Sequence, residues 1–488
     1  MTHPNILLVT ADQWPGALFG VAGRTDIDTP SFDQLARNGI RFVNAFSECP
    51  ICIPARRSMM TGTAPREHGD REFQPSLTRP DLPHLAEVLR DAGYQTAAVG
   101  KLHVYPSRDR IGFEETVLYE EGRPQLGGPD DWELWLTDRG QAGLGHAHGM
   151  SNNGYEVRTW HLDEESHPTV WLARQACRTI QRRDPTRPMF LHLSFNFPHP
   201  PIVPLRDYLD AYRDRAIDPP VSGDWTEDMP HVLQRVRASW PEMTEDQIVA
   251  MRRAFYAQCT LIDHQFRLVV GTLREQLMLD DTIILFTSDH GEMLGDHGLY
   301  AKRLMLGMSA SVPMFLMGVK DCLRTRPGTI DMRLAAIRDI MPTLLDLAGV
   351  PVPESCTGRS LVSGPPRETL YCEALAGAMA MRMVTDGRHK LIWYPAGNRL
   401  QLFDCVDDPQ ELHDLSAAAE LAEVRDRLTA RLIEELYGED LDWVRDGALL
   451  GFDPPEVVTP DDRGLHGQRG IHFPQPPAGD PSKVVGAP

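Results

Sequence analysis

Two hydrophobic rhythms alternate along this chain. Mainly apolar runs occur at Asn5 to Ala11, Gln95 to Val99, Met189 to Phe195 and Thr282 to Phe286. Mainly apolar runs of that length predict strands covered on both faces. Between them the apolar positions recur at helical spacing. Thr29-Pro30 opens one helix through Leu35 and Ala36, stopped near Gly39. Leu82, Leu85, Val88, Leu89 and Ala92 form a second stripe that ends at Gly93, and Val170 to Ile180 forms a third. A long helix is predicted from about Thr244 to Leu277, with Ile248, Met251, Phe255, Leu261, Ile262 and Leu268 among its apolar positions. Ile337 to Leu347, closed by Gly349, is another. Strands alternating with helices predict an α/β fold, with a central mixed, mostly parallel sheet flanked by helices.

The texture changes after Gly364-Pro365-Pro366. Met381 to Thr385, Lys390 to Tyr394 and Leu400 to Phe403 read as hairpin strands, with Asp386-Gly387 as a turn, and a helix is expected from about Ala417 to Leu436. We therefore expect a first domain over 1–364, a small C-terminal α+β subdomain over 365–445, and a Pro/Gly-rich tail over 446–488. The tail has no periodicity. It would run extended over the surface or reach a neighbouring subunit, making a homo-oligomer possible. No internal repeats occur.

Composition adds limits. Of 488 residues, 42% are hydrophobic and 24% charged, an ordinary globular balance that supports one large core and a smaller unit. The formal net charge of −20 argues against nucleic acid or an anionic membrane as partner. An anionic substrate would then need cations concentrated locally. No apolar run reaches 18 residues, so no transmembrane helix is expected. Met1-Thr2-His3-Pro4 passes straight into the first strand, which is no secretory signal. Eight cysteines without paired spacing read as reduced thiols, so a cytoplasmic location is expected.

Chemistry concentrates where the strands end. Residues 50 to 62 contain Cys52-x-Pro54-x-Arg56, closed by Thr61-Gly62. Pro54 suits the first turn of a helix, which places Cys52 just before a helix N-terminus, where an anion is favoured. Arg56, one turn on, can reach the same spot as a fixed cation. Taken alone, Cys52 could equally be a buried structural cysteine. Asp12-Gln13 follows the first strand, and Ser288-Asp289-His290-Gly291-Glu292 follows the Thr282 to Phe286 strand. Two oxygen ligands from one strand end, with an oxygen and an imidazole from another, could hold a divalent ion. Asp12 alone could also be a turn residue. Gly100-Lys101-Leu102-His103 follows the Gln95 to Val99 strand. Pro198-His199-Pro200-Pro201 follows the Met189 to Phe195 strand, and Lys302 closes Gly298-Leu299-Tyr300-Ala301-Lys302. Individually Lys101 and His103 could be surface and loop residues.

Together, in this order, the motifs resemble those of type I sulfatases of the alkaline phosphatase superfamily, up to about residue 440. The resemblance implies an alkaline phosphatase-like fold with a sulfatase catalytic domain over 1–364. It implies that a formylglycine-generating enzyme oxidises Cys52 to formylglycine (3-oxoalanine), whose hydrate attacks sulfur. It implies a small anionic sulfate ester as substrate, and one divalent metal held by Asp12, Gln13, Cys52, Asp289 and His290. The family's commoner Asp-Asp and Asp-Asn pairs are here Asp12-Gln13 and Asp289-His290. These variants are more like choline sulfatases and phosphonate monoester hydrolases, and admit Mn²⁺ beside Ca²⁺. Further roles implied are polarisation by Arg56, charge neutralisation by Lys101 and Lys302, protonation of the leaving group by His199, alone or with Lys302, and acceptance by His103 of the proton released as sulfate departs. A phosphonate monoester or phosphodiester hydrolase with the same machinery is the alternative. A non-catalytic metal-binding relative is the remote one, which intact Arg56, Lys101, His103 and His199 oppose. A zinc peptidase is disfavoured, since no His-Glu-x-x-His occurs. His68 is expected either to border the pocket or to sit in a loop, and His146 and His148 to lie in a flexible glycine-rich loop. Substrate selection is expected in the stretch 115 to 165, with Trp132, Trp135 and Trp160.

Overall fold

The four apolar runs form adjacent central strands. The structure is a computed structural model that describes residues 3–122, 129–319 and 326–457. Its main sheet has eight strands: β1 (Asn5–Asp12), β2 (Ile40–Phe46), β3 (Gln95–Gly100), β4 (Glu115–Leu118), β5 (Met189–Pro198), β6 (Thr282–Ser288), β7 (Met314–Met317) and β8 (Thr329–Ala336). Their order is β4-β3-β5-β1-β6-β7-β2-β8. The first five pair in parallel, β7 runs antiparallel to both neighbours, and β2 and β8 are again parallel.

The continuous apolar character of β1 has a direct cause. Leu7, Val9 and Ala11 enter one core with Phe32, Phe286 and residues of the Glu245–Glu275 helix, while Ile6 and Leu8 enter another with Ile340, Met341 and Leu344. Helices cover both faces, so neither face of the strand can be polar. The four strands outside the prediction lie toward the margins. On β8, Ile330 and Met332 are 60% and 62% exposed, so its residues do not read as a buried run. Of the other three strands missed, β4 and β7 have only four residues each, whereas β2 has seven.

Helix limits shift modestly. The long helix runs over Glu245–Glu275, with the Thr244 hydroxyl accepting from the Gln247 N–H as its cap. The stripe that began at Leu82 becomes a helix only from Leu85, and the segment from Ile337 starts as a 3₁₀ turn before the α-helix Ile340–Ala348. Cys52 opens the Cys52–Thr61 helix rather than preceding it, with Pro54 in its first turn.

A second, antiparallel sheet follows, of β9 (Leu370–Ala374), β10 (Met381–Thr385), β11 (His389–Tyr394) and β12 (Arg399–Asp404), in the order β12-β11-β10-β9. One face packs Val384, Leu391, Trp393 and Leu402 against Leu428 and Leu432 of the Ala422–Glu435 helix. The other face presents Met383, Ile392 and Phe403 to Leu304, Met305 and Leu306 of the first sheet's loops. That helix begins five residues later than expected, after a 3₁₀ turn. The chain around residue 446 is a short hairpin, Val444–Arg445 with Ala448–Leu449, and the Phe452 N–H donates to the Pro395 carbonyl (3.0 Å). The rest of the tail, from 458, lies outside the described residues. No described helix is long and apolar enough to cross a membrane, and the seven described cysteines are unpaired.

One buried histidine makes stability depend on pH. His167 caps the Pro168–Arg182 helix: Nδ1 accepts from the Thr169 N–H and Nε2 donates to the Val203 carbonyl, each at 3.2 Å. Burial pulls its pKa down to about 3. Below the ordinary value near 6.5 the unfolded chain therefore binds a proton that the folded chain refuses, so this residue's contribution falls as pH drops from 6.5 toward 3. At pH 5 the loss is about 2 kcal/mol. His167→Gln offers a neutral donor and acceptor that does not titrate. Thermal melts at pH 7 and pH 5 should show wild type losing ground to this variant at the lower pH; parallel melts would mean that His167 titrates normally.

Candidate active site

The carboxyl ends of four neighbouring strands, β3, β5, β1 and β6, bring the chemistry together, as expected for an α/β sheet. Asp12 ends β1, Lys101 follows β3, His199 follows β5, and Asp289-His290 follows β6. Gly100 makes the approach of β3 to β5 possible. It has φ 114, and a Cβ there would lie 1.8 Å from the Ser194 carbonyl oxygen. The Lys101 N–H donates to that oxygen at 3.0 Å. Cys52 arrives from outside the sheet, at the N-terminus of its helix, where backbone N–H groups and the helix dipole favour negative charge.

The ligand atoms of Asp12, Cys52, Asp289 and His290 all lie within 4.8 Å of one another, and all four residues are buried. Cys52 Sγ is 3.2 Å from His290 Nε2 and 4.0 Å from Asp12 Oδ1. Arg56 locks the acids: Nε donates to Asp289 Oδ2 (3.0 Å) and Nη2 to Asp12 Oδ2 (3.3 Å), while Nη1 donates to the Lys101 carbonyl and Ser194 Oγ (both 2.8 Å). Lys101 Nζ donates to Asp12 Oδ2 and to Glu121 Oε1, each at 2.6 Å. Lys302 Nζ donates to Gln13 Oε1 (2.7 Å) and to His199 Nε2 (2.6 Å). His199 Nδ1 donates to the Pro200 carbonyl at 2.7 Å, which leaves Nε2 as the acceptor. His103 has φ 58, a conformation held by Glu120, whose Oε1 accepts from the N–H groups of Leu102 (2.9 Å) and His103 (3.0 Å).

The electrostatics favour an anion at position 52. Burial disfavours a thiolate there, but Lys302, Lys101 and His290 overcome it and hold the Cys52 thiol well below its usual range. Burial and the Cys52 sulfur push the Asp12 carboxyl up, yet Lys101, His199 and Arg56 outweigh them and leave it at about 2. Asp289 is raised, first by burial and then by the Asp12 charge. Burial pulls His290 down, but Asp289 and Cys52 bring it to about 9. The donor set fits a divalent cation. Two carboxylates face one imidazole nitrogen, and His290 Nδ1 donates to the Gly291 carbonyl (3.0 Å), leaving Nε2 directed at the cluster. The cations around Cys52 likewise suit a polar, oxidised side chain at this position.

The structure thus gathers Asp12, Cys52, Arg56, Lys101, His103, His199, Asp289, His290 and Lys302 in one buried site. Gln13 also lies there, but its amide faces Glu292 and Lys302, with Nε2 donating to Glu292 Oε2 and Oε1 accepting from Lys302. Other expectations move. His68 accepts from or donates to Ser58 Oγ at 3.0 Å, and burial lowers its pKa to about 3. His146 and His148 are not in an open loop: both are buried, with His146 edge-on to Trp132. Trp132 and Trp160 belong to the core. Sequence reading missed Glu120, Glu121, Ser194, Tyr155 and Glu292. Ser194 carried a signal, since His192, Ser194 and Asn196 interrupt an apolar strand at every second position. Glu120 and Glu121 come from the stretch 115 to 165, which reaches the site through them.

The comparisons agree with this geometry. The sulfatase family model matches residues 4–350, and a model described as the C-terminal part of N-sulphoglucosamine sulphohydrolase matches 295–437. An arylsulfatase of Clostridium perfringens is 32% identical over 471 residues, spanning 92% of this chain and 97% of the relative. A choline-sulfatase of Rhizobium meliloti is 32% identical over 442 residues, spanning 85% and 82%. The crystal structure of a phosphonate monoester hydrolase of Agrobacterium radiobacter shares the fold, with a TM-score of 0.72 at 24% identity, over 88% of this chain and 95% of that one. A buried anion-favouring site at the strand ends, in a chain matched by these models from residue 4 to 437, belongs to the sulfatase family, and the protein is a sulfatase.

Proposed function

We propose that this sulfatase cleaves small sulfate monoesters, aryl or alkyl, by a formylglycine-dependent route assisted by one divalent metal, Ca²⁺ or Mn²⁺. The observation that carries the reading is the position of Cys52: at a helix N-terminus, 3.2 Å from His290 Nε2, with its charge favoured by Lys302 and Lys101. Formylglycine, made from Cys52 by a formylglycine-generating enzyme, would supply as its hydrate the hydroxyl that displaces the alcohol from sulfur. Asp12, Asp289 and His290, with position 52, would hold the metal, which would supply Lewis-acid polarisation, while the Gln13 amide, turned to Glu292 and Lys302, stands beside the cluster.

The chain's own groups do the rest. Arg56 keeps both carboxylates facing the cluster. Lys101 and Lys302 offer fixed positive charge to the sulfuryl oxygens, a preorganised term that usually contributes most to such reactions. Lys302 Nζ donates to His199 Nε2 at 2.6 Å, and this pair can supply the proton that the leaving oxygen needs. His103, hydrogen-bonded to the Cys52 sulfur, takes up a proton from position 52 as sulfate leaves.

A phosphonate monoester or phosphodiester centre is tetrahedral and of similarly low charge, and the Agrobacterium hydrolase shares this fold, so that activity is the second reading. The Lys101-x-His103 pair and the two sulfatase relatives at 32% identity favour sulfate. Enzyme co-produced with a formylglycine-generating enzyme, with modification at Cys52 confirmed, should show kcat/KM for an aryl sulfate well above that for the matching aryl phosphonate monoester. A ratio well below one would assign it to the second reading.

A further inference from the structure

Glu292 is fully buried and lies two residues beyond His290, yet no role in the reaction falls to it above. Its carboxylate is saturated by four donors. Oε2 accepts from the Gln13 amide and from the Tyr155 hydroxyl (2.7 Å), and Oε1 from the N–H groups of Leu294 (3.0 Å) and Ala301 (2.7 Å). The two backbone donors belong to residues in the left-handed region, Leu294 at φ 52 and Ala301 at φ 64. Neither is glycine, so each conformation costs about a kcal/mol and needs support from its surroundings. Ala301 immediately precedes Lys302. The Gln13 amide, pinned through Nε2, must present Oε1 to the Lys302 ammonium, which in turn meets His199 Nε2. One carboxylate therefore fixes the backbone beside Lys302 and the acceptor that orients its side chain.

We propose that Glu292, anchored by Tyr155, is the positioning residue that sets the Lys302–His199 pair against the leaving oxygen. The inference rests on the reading of that pair as the proton source for the leaving group. A glutamine at 292 cannot substitute. It has one acceptor oxygen for four donors, so its own N–H₂ must face a donor. The Gln13 amide is then free to turn, which would put its N–H₂ against the ammonium of Lys302. The defect should scale with the need for protonation. A phenolate made stable by a nitro group departs largely unaided, whereas an alkoxide needs a proton.

The test compares kcat/KM for 4-nitrophenyl sulfate and for a simple alkyl sulfate in wild type, Glu292→Gln, Tyr155→Phe and Lys302→Ala, each confirmed as modified at Cys52. Glu292→Gln should lose on the order of 10²-fold on the alkyl ester and roughly tenfold less on the nitrophenyl ester. Tyr155→Phe, which removes one donor without changing shape, should shift the ratio the same way by several-fold, and keeps the proposal testable if Glu292→Gln does not fold. Equal losses on both esters in these variants, while Lys302→Ala discriminates between them, would overturn the role of Glu292. If Lys302→Ala itself fails to discriminate, the proton-source reading falls and the proposal with it.

Discussion

Replacing Cys52 by alanine should abolish turnover, with kcat/KM for an aryl sulfate falling by at least ~10⁴-fold. The reason is positional. The Cys52 sulfur lies 3.2 Å from His290 Nε2 and 4.0 Å from Asp12 Oδ1, and the charges of Lys302 and Lys101 hold its thiol well below the usual range. Alanine leaves those groups in place with nothing at their focus to attack sulfur. Cys52→Ser should fail as well in a host that does not oxidise serine. Because Cys52 is itself buried and small, alanine removes little packing, so the melting temperature should move far less than the rate. Tryptic mass spectrometry of the wild-type peptide should show the loss of sulfur that accompanies conversion to the aldehyde. Rates near wild type in Cys52→Ala would end the proposed mechanism.

The central strands were legible because the fold buries them on both sides. The runs at Asn5, Gln95, Met189 and Thr282 have no solvent face, and hydrophobicity alone marks them. The margins were not legible. Exposed Ile330 and Met332 on β8, and the four-residue β4 and β7, carry no pattern that distinguishes them from loop. The same division runs through the site. Asp12, Lys101, His199 and Asp289 each follow a legible strand, so sequence order already placed them at one edge of the sheet. Glu121 and Tyr155 come from a stretch without periodicity, and nothing local says that one meets Lys101 and the other Glu292. Glu292 stood in plain view after His290, but its role depends on four donors that converge only in the folded chain. Gln13 shows the remaining limit: its place was legible, while the direction of its amide was decided by Glu292 and Lys302.

Arg56→Ala should be the most damaging substitution for stability and activity together. In the folded chain this guanidinium spends its donors on Asp289, Asp12, the Lys101 carbonyl and Ser194, all of them buried. Among the described residues, removing it leaves Asp289 with His290 beside it, and Asp12 with Lys101 and the same His290. Breaking one partner out of a buried ion pair typically costs ~3–5 kcal/mol, because the remaining charge stays desolvated. The loss should be larger in protein stripped of divalent metal by a chelator than in protein supplied with Ca²⁺ or Mn²⁺, since a cation among Asp12, Asp289 and His290 would replace the missing charge. Arg56→Lys should recover little: one ammonium cannot span four acceptors that a planar fork reaches at 2.8 to 3.3 Å. Chemical denaturation of both variants, with and without metal, separates the cases. A metal-dependent gap for Arg56→Ala ties the arginine to the acidic cluster, and the same ΔG in both conditions would place its contribution in packing alone. Activity should fall in parallel, because Asp12 and Asp289 lose the tether that keeps them directed at position 52.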